Sequence, residues 1–469
     1  MIFHPANTKQ TEGRFIFEKS LTATAHPCLC KDIFSDLWKG FSYHLSSLQT
    51  TKTNEIVFCL GEATPLPLAS YAYSISVTSN GICITAATEK NLILGFMTLI
   101  DRIYTFDRGE DCLCAIDCCE ILETPLFEDR MIHYCIFPGM ELWEIERFVR
   151  LCGALRFSHI VLEFWGTLHY DCMKELSWSN AFEKDELRPI ISLAHDLGIE
   201  IIPMLNHWGH ATASRVIHGK HVVLDQNPSL QSYFSEDGWC WDLKKEKVKR
   251  LLGSIRDELI ELCGEGRYFH IGCDEAYRFD PTEDNLSFLC NFFNDVAEEL
   301  DREGRRAIMW GDMLLYREPS YDVQNKYTCN APSKYAQDYF LSHLSKKLLI
   351  ADWQYKAIHA PVETAVTIQK AGFDCLLCPW DTGYSQLYAC NKTITDAGLS
   401  GMLHTTWHTL SIGTPMVTVA ALCGFENLPV SRTENYRTLT AALLRKVYFV
   451  NGDYQKAGWS KTEIADVTT

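Results

Sequence analysis

The feature that most constrains the fold of this chain is a set of eight short apolar runs in its central and C-terminal parts. Amphipathic stretches separate several of them, with apolar residues three or four positions apart, as in the stripe from Leu187 to Leu197 that ends at Gly198. The runs cover residues 131–136, 159–164, 200–204, 268–272, 307–309, 348–351, 373–378 and 401–405. Strands that alternate with helices form parallel sheets. Eight of them, with no GxGxxG turn after any, predict a (β/α)8 TIM barrel rather than an open doubly wound sheet.

The N-terminal part has a different pattern. Apolar and polar residues alternate over 73–77 and again over 82–86, and Ser79, Asn80 and Gly81 lie between them, which predicts a β-hairpin. A helix is predicted over 92–103. The fold class is therefore α/β: a small α+β domain precedes the barrel. The predicted limits are 1–122 for the N-terminal domain, 123–430 for the catalytic barrel and 431–469 for a C-terminal helical extension, with a helix near 436–450.

Charge and composition exclude several classes of partner. The formal net charge is -17, which disfavours binding to nucleic acid or to anionic lipid. No apolar run approaches the roughly 20 residues that span a bilayer, so no membrane association is expected. The first residues lack a basic start and an apolar stretch, and the 20 cysteines are scattered, so we expect a cytoplasmic protein with reduced thiols. The oligomeric state stays open, and a homodimer is one possibility.

Aromatic residues follow the predicted strands at one end of the barrel. Active sites of such barrels lie at the C-terminal ends of the strands. Six of the eight strand ends here carry tryptophan, although the chain has only 12 tryptophans in 469 residues. They are Trp165, Trp208, Trp310, Trp353, Trp380 and Trp407. Aromatic faces pack well against the C–H faces of sugar rings, so carbohydrate is the predicted ligand.

Two adjacent carboxylates follow the fourth strand. Asp274 and Glu275 end the segment FHIGCDE. Neighbours in a strand point to opposite faces, so both serve one site only if the chain leaves the strand there. Two carboxylates in one cleft perturb each other, and the one whose pKa is raised suits a general acid. We interpret the pair as the centre of a glycosidase site.

The motifs together resemble the family 20 glycoside hydrolases, the β-N-acetylhexosaminidases. Residues 270–275 read HIGCDE where that family has His-x-Gly-Gly-Asp-Glu, and 202–210 read IPMLNHWGH where it typically has IPEIDMPGH. Arg130 in FEDRM, the triplet WGD at 310–312 and TWHTL at 406–410 add to the similarity, which covers about residues 55–430. The chain departs from the family at Cys273, Asn206, Met131 and Glu163, which indicates a divergent branch of the single-chain intracellular type.

The resemblance implies a retaining, substrate-assisted reaction on a terminal β-linked N-acetylglucosamine or N-acetylgalactosamine of an oligosaccharide or glycoconjugate. Glu275 would be the acid and base, and Asp274 would orient the acetamido group. Tyr355 or Tyr384 would hold the acetamido carbonyl, with Tyr355 slightly favoured. Substrate-binding roles also fall to Arg130, Trp310, Trp353, Asp381 and Trp407.

Several alternatives remain open at this point. His210 and His270 are candidates to adjust the pKa of Glu275 without contacting the substrate, whereas His207 with His210 could bind zinc. No cofactor is expected, and no metal site is predicted. A different barrel glycosidase would use Glu163 as a protein nucleophile, and a relative of another class would bind sugar without catalysis.

Overall fold

The computed structural model of the chain describes residues 1–17, 22–24, 55–60, 71–108, 111–211, 223–318, 324–381, 383–407, 410–430 and 435–447. The N-terminal part forms one sheet of seven strands in the order β1-β7-β4-β5-β3-β2, with β6 paired to β7. The strands are β1 Asn7–Ile16, β2 Thr22–Thr24, β3 Glu55–Leu60, β4 Tyr73–Thr78, β5 Gly81–Ala86, β6 Tyr104–Arg108 and β7 Asp111–Glu123. The predicted hairpin is β4 with β5, which pair antiparallel.

Helix α1, Glu89–Arg102, covers one face of this sheet and begins where the Thr88 side chain accepts a hydrogen bond from the Asn91 N–H. It confirms the helix predicted over 92–103. Because apolar side chains of α1, such as Phe96, pack on sheet residues such as Phe58, the sheet and helix share one core. The sequence pattern had shown only the hairpin and the helix of this unit.

Eight parallel strands close into a barrel after residue 128. They are β8 Asp129–Cys135, β9 His159–Glu163, β10 Glu200–Met204, β11 Tyr268–His270, β12 Arg306–Trp310, β13 Leu349–Trp353, β14 Asp374–Cys378 and β15 Gly401–Thr405. Strand β15 pairs with β8 and so completes the ring. Each strand overlaps one of the eight apolar runs, which confirms the predicted (β/α)8 barrel.

Helices surround the barrel and bury their apolar stripes against it. They are α2 Leu142–Ala154, α3 Lys184–Asp196, α4 Val223–Gln226, α5 Glu246–Cys263, α6 Glu283–Arg302, α7 Lys334–His343, α8 Glu363–Lys370, α9 Tyr384–Ala397, α10 Leu410–Cys423 and α11 Tyr436–Val447. The last of these matches the helix predicted from residue 436, and residues 448–450 of that prediction lie outside the described residues. None of the helices in the described ranges has both the length and the apolarity needed to cross a bilayer.

The alternation of side chains along the barrel strands decides which residues reach the interior. In β8, Met131 belongs to the interior cluster, whereas Ile132 packs outward with the helices. The interior cluster contains Met131, Val161, Ile202, Met204, Tyr268, Ile308, Trp310, Leu349, Ala351, Leu376, Cys378 and Leu403. The barrel is therefore a packed core, and polar chemistry is confined to its rims and to the last interior layer.

Candidate active site

A histidine joins the two predicted carboxylates at the C-terminal end of the barrel. His210 Nε2 lies 3.0 Å from Glu275 Oε2 and 3.4 Å from Asp274 Oδ2. The Asp274 side chain is 8% exposed and that of Glu275 28%, so the aspartate is sequestered while the glutamate reaches solvent. The structure thus brings together Asp274, Glu275 and His210, three of the predicted site residues.

Close backbone contacts place the two loops that carry these residues. A side chain on Gly209 would put its Cβ 1.9 Å from the Asp274 carbonyl oxygen, and one on Gly272 would meet the Asn206 amide oxygen at 1.5 Å. Because only glycine has no Cβ, both positions require it. Asn206, which replaces the family's aspartate, accepts a hydrogen bond from the Cys273 N–H at 3.2 Å and so ties the loop after β10 to the loop after β11.

The backbone of this region is left-handed at several residues that are not glycine. Cys273 has φ +79° and Glu275 has φ +51°, and His210 has φ +54°. Such conformations cost on the order of 1–3 kcal/mol each and persist where the surroundings hold them. They turn the chain between Asp274 and Glu275, which is how neighbours in sequence come to face one cleft.

Asp312 is a third carboxylate at the site, and the sequence analysis assigned it no role. Its Oδ2 accepts hydrogen bonds from the Glu275 N–H at 3.0 Å and from Asn330 Nδ2 at 2.8 Å, and its Oδ1 accepts from Trp353 Nε1 at 3.2 Å. Burial, together with the charge of Asp274, raises the pKa of Asp312 to about 7. Asp312 therefore holds the strained backbone of Glu275 and fixes Trp353.

Two aromatic residues hold Glu275 from its other side. Trp239 Nε1 donates to the Glu275 carbonyl oxygen at 2.7 Å, and the Tyr277 hydroxyl hydrogen-bonds the Glu275 side chain. Burial and the Glu275 carboxylate raise the pKa of Tyr277 well above its ordinary value, so it stays a donor. The Trp239 ring also packs 4.4 Å from the His210 ring. Neither residue follows a barrel strand directly, and neither is among the predicted site residues.

An aromatic pocket adjoins the carboxylates. The Tyr355 ring lies 5.1 Å from the Trp353 ring and 5.3 Å from the Trp380 ring. Its hydroxyl accepts hydrogen bonds from Trp407 Nε1 at 2.7 Å and from Thr405 Oγ1 at 3.2 Å. The hydroxyl also carries one proton of its own and so can act as a donor. The structure therefore brings together three of the predicted site residues, Trp353, Tyr355 and Trp407.

The prediction for Arg130 is wrong. Arg130 is the second residue of β8, so it lies at the end of the barrel opposite the carboxylates, and its neighbour Met131 takes the inward position. Its guanidinium donates to the carbonyl oxygens of Phe127, Glu128 and Arg156. It is a buried structural group at the N-terminal end of the barrel.

Tyr384 and Trp310 also differ from their predicted roles. The Tyr384 hydroxyl donates to the Pro429 carbonyl oxygen at 2.8 Å, and its ring stacks on Tyr436, away from the acidic pair. Trp310 is the last residue of β12 and points into the barrel, where it has no exposed surface. It lies beneath Trp407, with ring centroids 6.1 Å apart. It supports the pocket from below and does not wall it.

The histidines with predicted roles have different environments in the structure. His270 does not bond Glu275: its Nδ1 accepts from the Gly272 N–H at 3.0 Å, and burial and the charge of His133 lower its pKa well below the ordinary value. His207 Nδ1 lies 2.7 Å from the Leu205 carbonyl oxygen and its Nε2 lies 3.0 Å from the Arg256 guanidinium, so both ring nitrogens are occupied. The zinc pair of His207 with His210 is therefore not formed.

Glu163 does not have the environment of a protein nucleophile. It is 1% exposed, and Trp165 Nε1 donates to Oε1 while His133 Nε2 and Cys135 Sγ contact Oε2. A carboxylate with both oxygens engaged by buried donors is a poor nucleophile. Asp381, half-exposed after Trp380, stays a prediction as a sugar-binding residue. Residues 408 and 409 of the last motif lie outside the described residues.

Parts of this chain are similar in sequence to known proteins. The family model described as the catalytic domain of glycosyl hydrolase family 20 matches residues 161–408, just over half of the chain. The chain is 24% identical over 302 residues to a beta-hexosaminidase of Porphyromonas gingivalis, which covers 54% of this chain and 37% of that protein. It is 26% identical over 178 residues to hexosaminidase D of Bos taurus, covering 35% of this chain and 49% of that one. The chain thus spans less than half the length of these two relatives.

The fold resembles solved structures over nearly its whole length. The structure of the exo β-N-acetylglucosaminidase of Vibrio harveyi in complex with N-acetylglucosamine aligns with a TM-score of 0.70 and 15% identity, and it covers 98% of this chain and 78% of that one. The match to the catalytic-domain model contains Asp274, Glu275, His210 and the aromatic pocket. The chain therefore belongs to glycosyl hydrolase family 20.

Proposed function

We propose that the protein is an exo-acting β-N-acetylhexosaminidase that hydrolyses terminal β-linked N-acetylglucosamine or N-acetylgalactosamine with retention of configuration. The observation that carries this proposal is the contact of one histidine, His210, with both Asp274 and Glu275, beside a pocket that ends at the Tyr355 hydroxyl. A site built this way has a proton donor beside an aromatic pocket. The substrates named for its relatives support the same class of sugar.

In the proposed reaction, the carbonyl oxygen of the substrate's own acetamido group attacks the anomeric carbon and forms an oxazolinium intermediate. Glu275 protonates the leaving glycosidic oxygen and then takes a proton from the attacking water. Asp274 accepts a hydrogen bond from the acetamido N–H and stabilises the positive charge that develops there. Tyr355 donates to the acetamido carbonyl, with its orientation set by Trp407 and Thr405.

Hydrolysis of a paired set of aryl glycosides tests the activity. The full-length protein should release the aryl group from the β-N-acetylglucosaminide, from its galactosamine epimer or from both, and the ratio of the two kcat/KM values would define the preferred epimer. Glu275→Gln is the matched inactive control. Release from neither sugar, or equal release by the variant, would show that the assignment is wrong.

Fluorination of the acetamido group tests the identity of the nucleophile. Each fluorine withdraws electron density from the carbonyl oxygen, so kcat should fall stepwise from the acetyl to the trifluoroacetyl substrate if that oxygen attacks. An enzyme with a carboxylate nucleophile would show little change along the series. NMR detection of the first-formed anomer gives the stereochemical outcome, and an inverted product would contradict the proposal.

We also propose a cytoplasmic location. Seventeen cysteines of the described ranges have free thiols, and Cys59 and Cys83 form no disulfide although their sulfurs lie 3.9 Å apart. Free thiols in such number suit a reducing compartment. Fractionation of the native cells tests this, and recovery of the protein from the exported fraction would contradict it.

A further inference from the structure

A group of three side chains inside the barrel takes no part in the proposed reaction. His133 and Cys135 are two residues apart in β8, so both point inward, and Cys135 pairs in register with Glu163 of β9. Cys135 and Glu163 are the last residues of their strands. All three side chains are buried, with at most 1% exposure. We call these residues the interior triad.

Three atoms of the interior triad converge on one point. His133 Nε2, Cys135 Sγ and Glu163 Oε2 form a triangle with edges of 3.0 Å between nitrogen and oxygen, 3.6 Å between nitrogen and sulfur and 2.9 Å between sulfur and oxygen. Tetrahedral zinc with usual bond lengths separates such ligand atoms by about 3.3 to 3.6 Å. To hold an ion of this size, the nitrogen–oxygen and sulfur–oxygen edges need to lengthen by about 0.3 to 0.7 Å, and the nitrogen–sulfur edge already has the right length.

The charges of the interior triad also suit a divalent cation. A thiolate and a carboxylate together carry two negative charges, which balance a doubly charged ion and leave no net charge in the buried site. Mixed nitrogen, sulfur and oxygen ligands are those that zinc and its neighbours prefer, whereas magnesium and calcium take oxygen ligands.

Surrounding residues hold the ligands in place. Trp165 Nε1 donates to Glu163 Oε1, which leaves Oε2 directed at the shared point of the triangle. The Trp407 ring packs edge-on with its centroid 4.6 Å from that of His133. Partners that orient the ligands in this way are typical of metal sites.

Two buried N–H groups lie close to the interior triad. Met204 of β10 pairs with Glu163 of β9 and with His270 of β11, so His270 and Glu163 lie at the same level of the barrel. Because His270 Nδ1 accepts a hydrogen bond from the Gly272 N–H, the proton of the neutral ring is on Nε2. Among the described residues, neither His270 Nε2 nor Trp310 Nε1 has a hydrogen-bond partner. The Trp310 ring is 4.3 Å from the His270 ring and 6.3 Å from the His133 ring. A water or hydroxide bound to an ion would be an acceptor for such donors.

We propose that His133, Cys135 and Glu163 bind one zinc-like divalent cation in the barrel interior, with a water or hydroxide as the fourth ligand. On binding, the Cys135 thiol loses its proton to solvent and the sulfur bonds the ion. His133 binds through Nε2 in its neutral form with the proton on Nδ1, and Glu163 binds as the carboxylate. The ion joins β8 to β9 beneath Trp407 and is separate from Asp274 and Glu275.

Cobalt binding to the chelator-treated, reduced full-length protein tests this proposal. Tetrahedral Co²⁺ with a thiolate ligand gives a sulfur-to-cobalt charge-transfer band in the near ultraviolet and intense visible bands. The expected result is saturation at one Co²⁺ per chain, loss of the bands on addition of Zn²⁺, and a rise in the melting temperature with Zn²⁺ concentration. These readouts do not use hydrolysis, so they stand or fall independently of the proposed enzyme activity.

Three variants make the test specific. Cys135→Ser keeps a donor to Glu163 but should lose the charge-transfer band, and Glu163→Gln should weaken Co²⁺ binding by at least about tenfold. Cys152→Ala removes another buried thiol, on α2, and should bind as the wild type does. Absence of the band from wild-type protein, or its persistence in Cys135→Ser, would overturn the proposal. If Cys135→Ser does not fold, unchanged Co²⁺ affinity in Glu163→Gln overturns it equally.

Discussion

The two ends of the barrel differ in how their buried charges are paired. At the N-terminal end, Arg156 donates to Glu123 and to the Tyr73 hydroxyl, and its guanidinium lies between the rings of Phe3 and Phe425, 3.6 Å from each centroid. At the C-terminal end, the carboxylates of Asp274 and Glu275 share one histidine, and a third carboxylate, Asp312, lies beside them. The first arrangement pairs opposite charges, whereas the second keeps like charges together.

The backbone shows the same contrast. Six non-glycine residues in the described ranges have positive φ, and five of them follow the C-terminal ends of strands: Trp165, His210, Cys273, Glu275 and Trp407. The sixth is Arg156. Strain and repulsion are concentrated at the end that carries the chemistry, and the opposite end joins the N-terminal sheet to the barrel and stabilises the fold. Variants at the two ends should therefore separate activity from stability.

The largest effect is expected for Glu275→Gln at the C-terminal end. Loss of the acid and base should lower kcat/KM by about 100-fold to 10,000-fold on the preferred aryl glycoside. The free energy of unfolding should not fall, because the substitution removes one of three neighbouring carboxylates. Steady-state kinetics and urea unfolding check the two halves of this prediction. A destabilised variant would show that the site is not under electrostatic strain.

The next effect is expected for Glu123→Gln at the other end. It leaves Arg156 buried without its anionic partner, which should cost about 3–5 kcal/mol of unfolding free energy. The kcat of the folded protein, measured well below its melting temperature, should stay unchanged. Glu261→Gln is the matched control, because its pair with Arg188 is exposed and is worth at most about 1 kcal/mol. If the two variants were equally stable, the buried pair of Glu123 and Arg156 would contribute no more to stability than an exposed pair, which would contradict the proposed contrast between the two ends.

The sequence predicted the barrel but not the placement of every polar group. The eight strands were visible because parallel strands in a barrel are continuous apolar runs, whose pattern is local. Arg130 was misplaced because a motif gives the residue and not its position along the strand. Asp312 and Trp239 were missed because their contacts with Glu275 join segments that are distant in sequence. Tyr277 was missed because it does not directly follow a barrel strand. The WGD triplet at 310–312 did point to Asp312, because it places a carboxylate just after a barrel strand.

An intermediate effect should decide between the two candidate tyrosines. Tyr355→Phe removes the proposed donor to the acetamido carbonyl and should lower kcat by about 100-fold, the loss typical of one such donor. Tyr384→Phe removes hydrogen bonds to Pro429 and Tyr436, away from the acidic pair, so it should leave kcat unchanged and cost about 1 kcal/mol of stability. Equal kcat values for the two variants would show that Tyr355 does not hold the carbonyl.

The smallest expected effect concerns Asp312 and the pH dependence of stability. Burial and Asp274 raise its pKa from 3.8 to about 7 in the folded protein, so the folded state binds more protons than the unfolded state between these values. The stabilising contribution of protonated Asp312 is complete below about pH 4 and is lost as the pH rises through about 7. Asp312→Asn does not titrate, so its unfolding free energy should fall less over this window than that of the wild type, as urea titrations at several pH values would measure. Asp396→Asn, on the exposed face of α9, is the control and should keep the wild-type slope. Equal slopes for Asp312→Asn and the wild type would mean that Asp312 stays ionised in the folded protein, and the C-terminal end would then hold its three carboxylates without a shared proton.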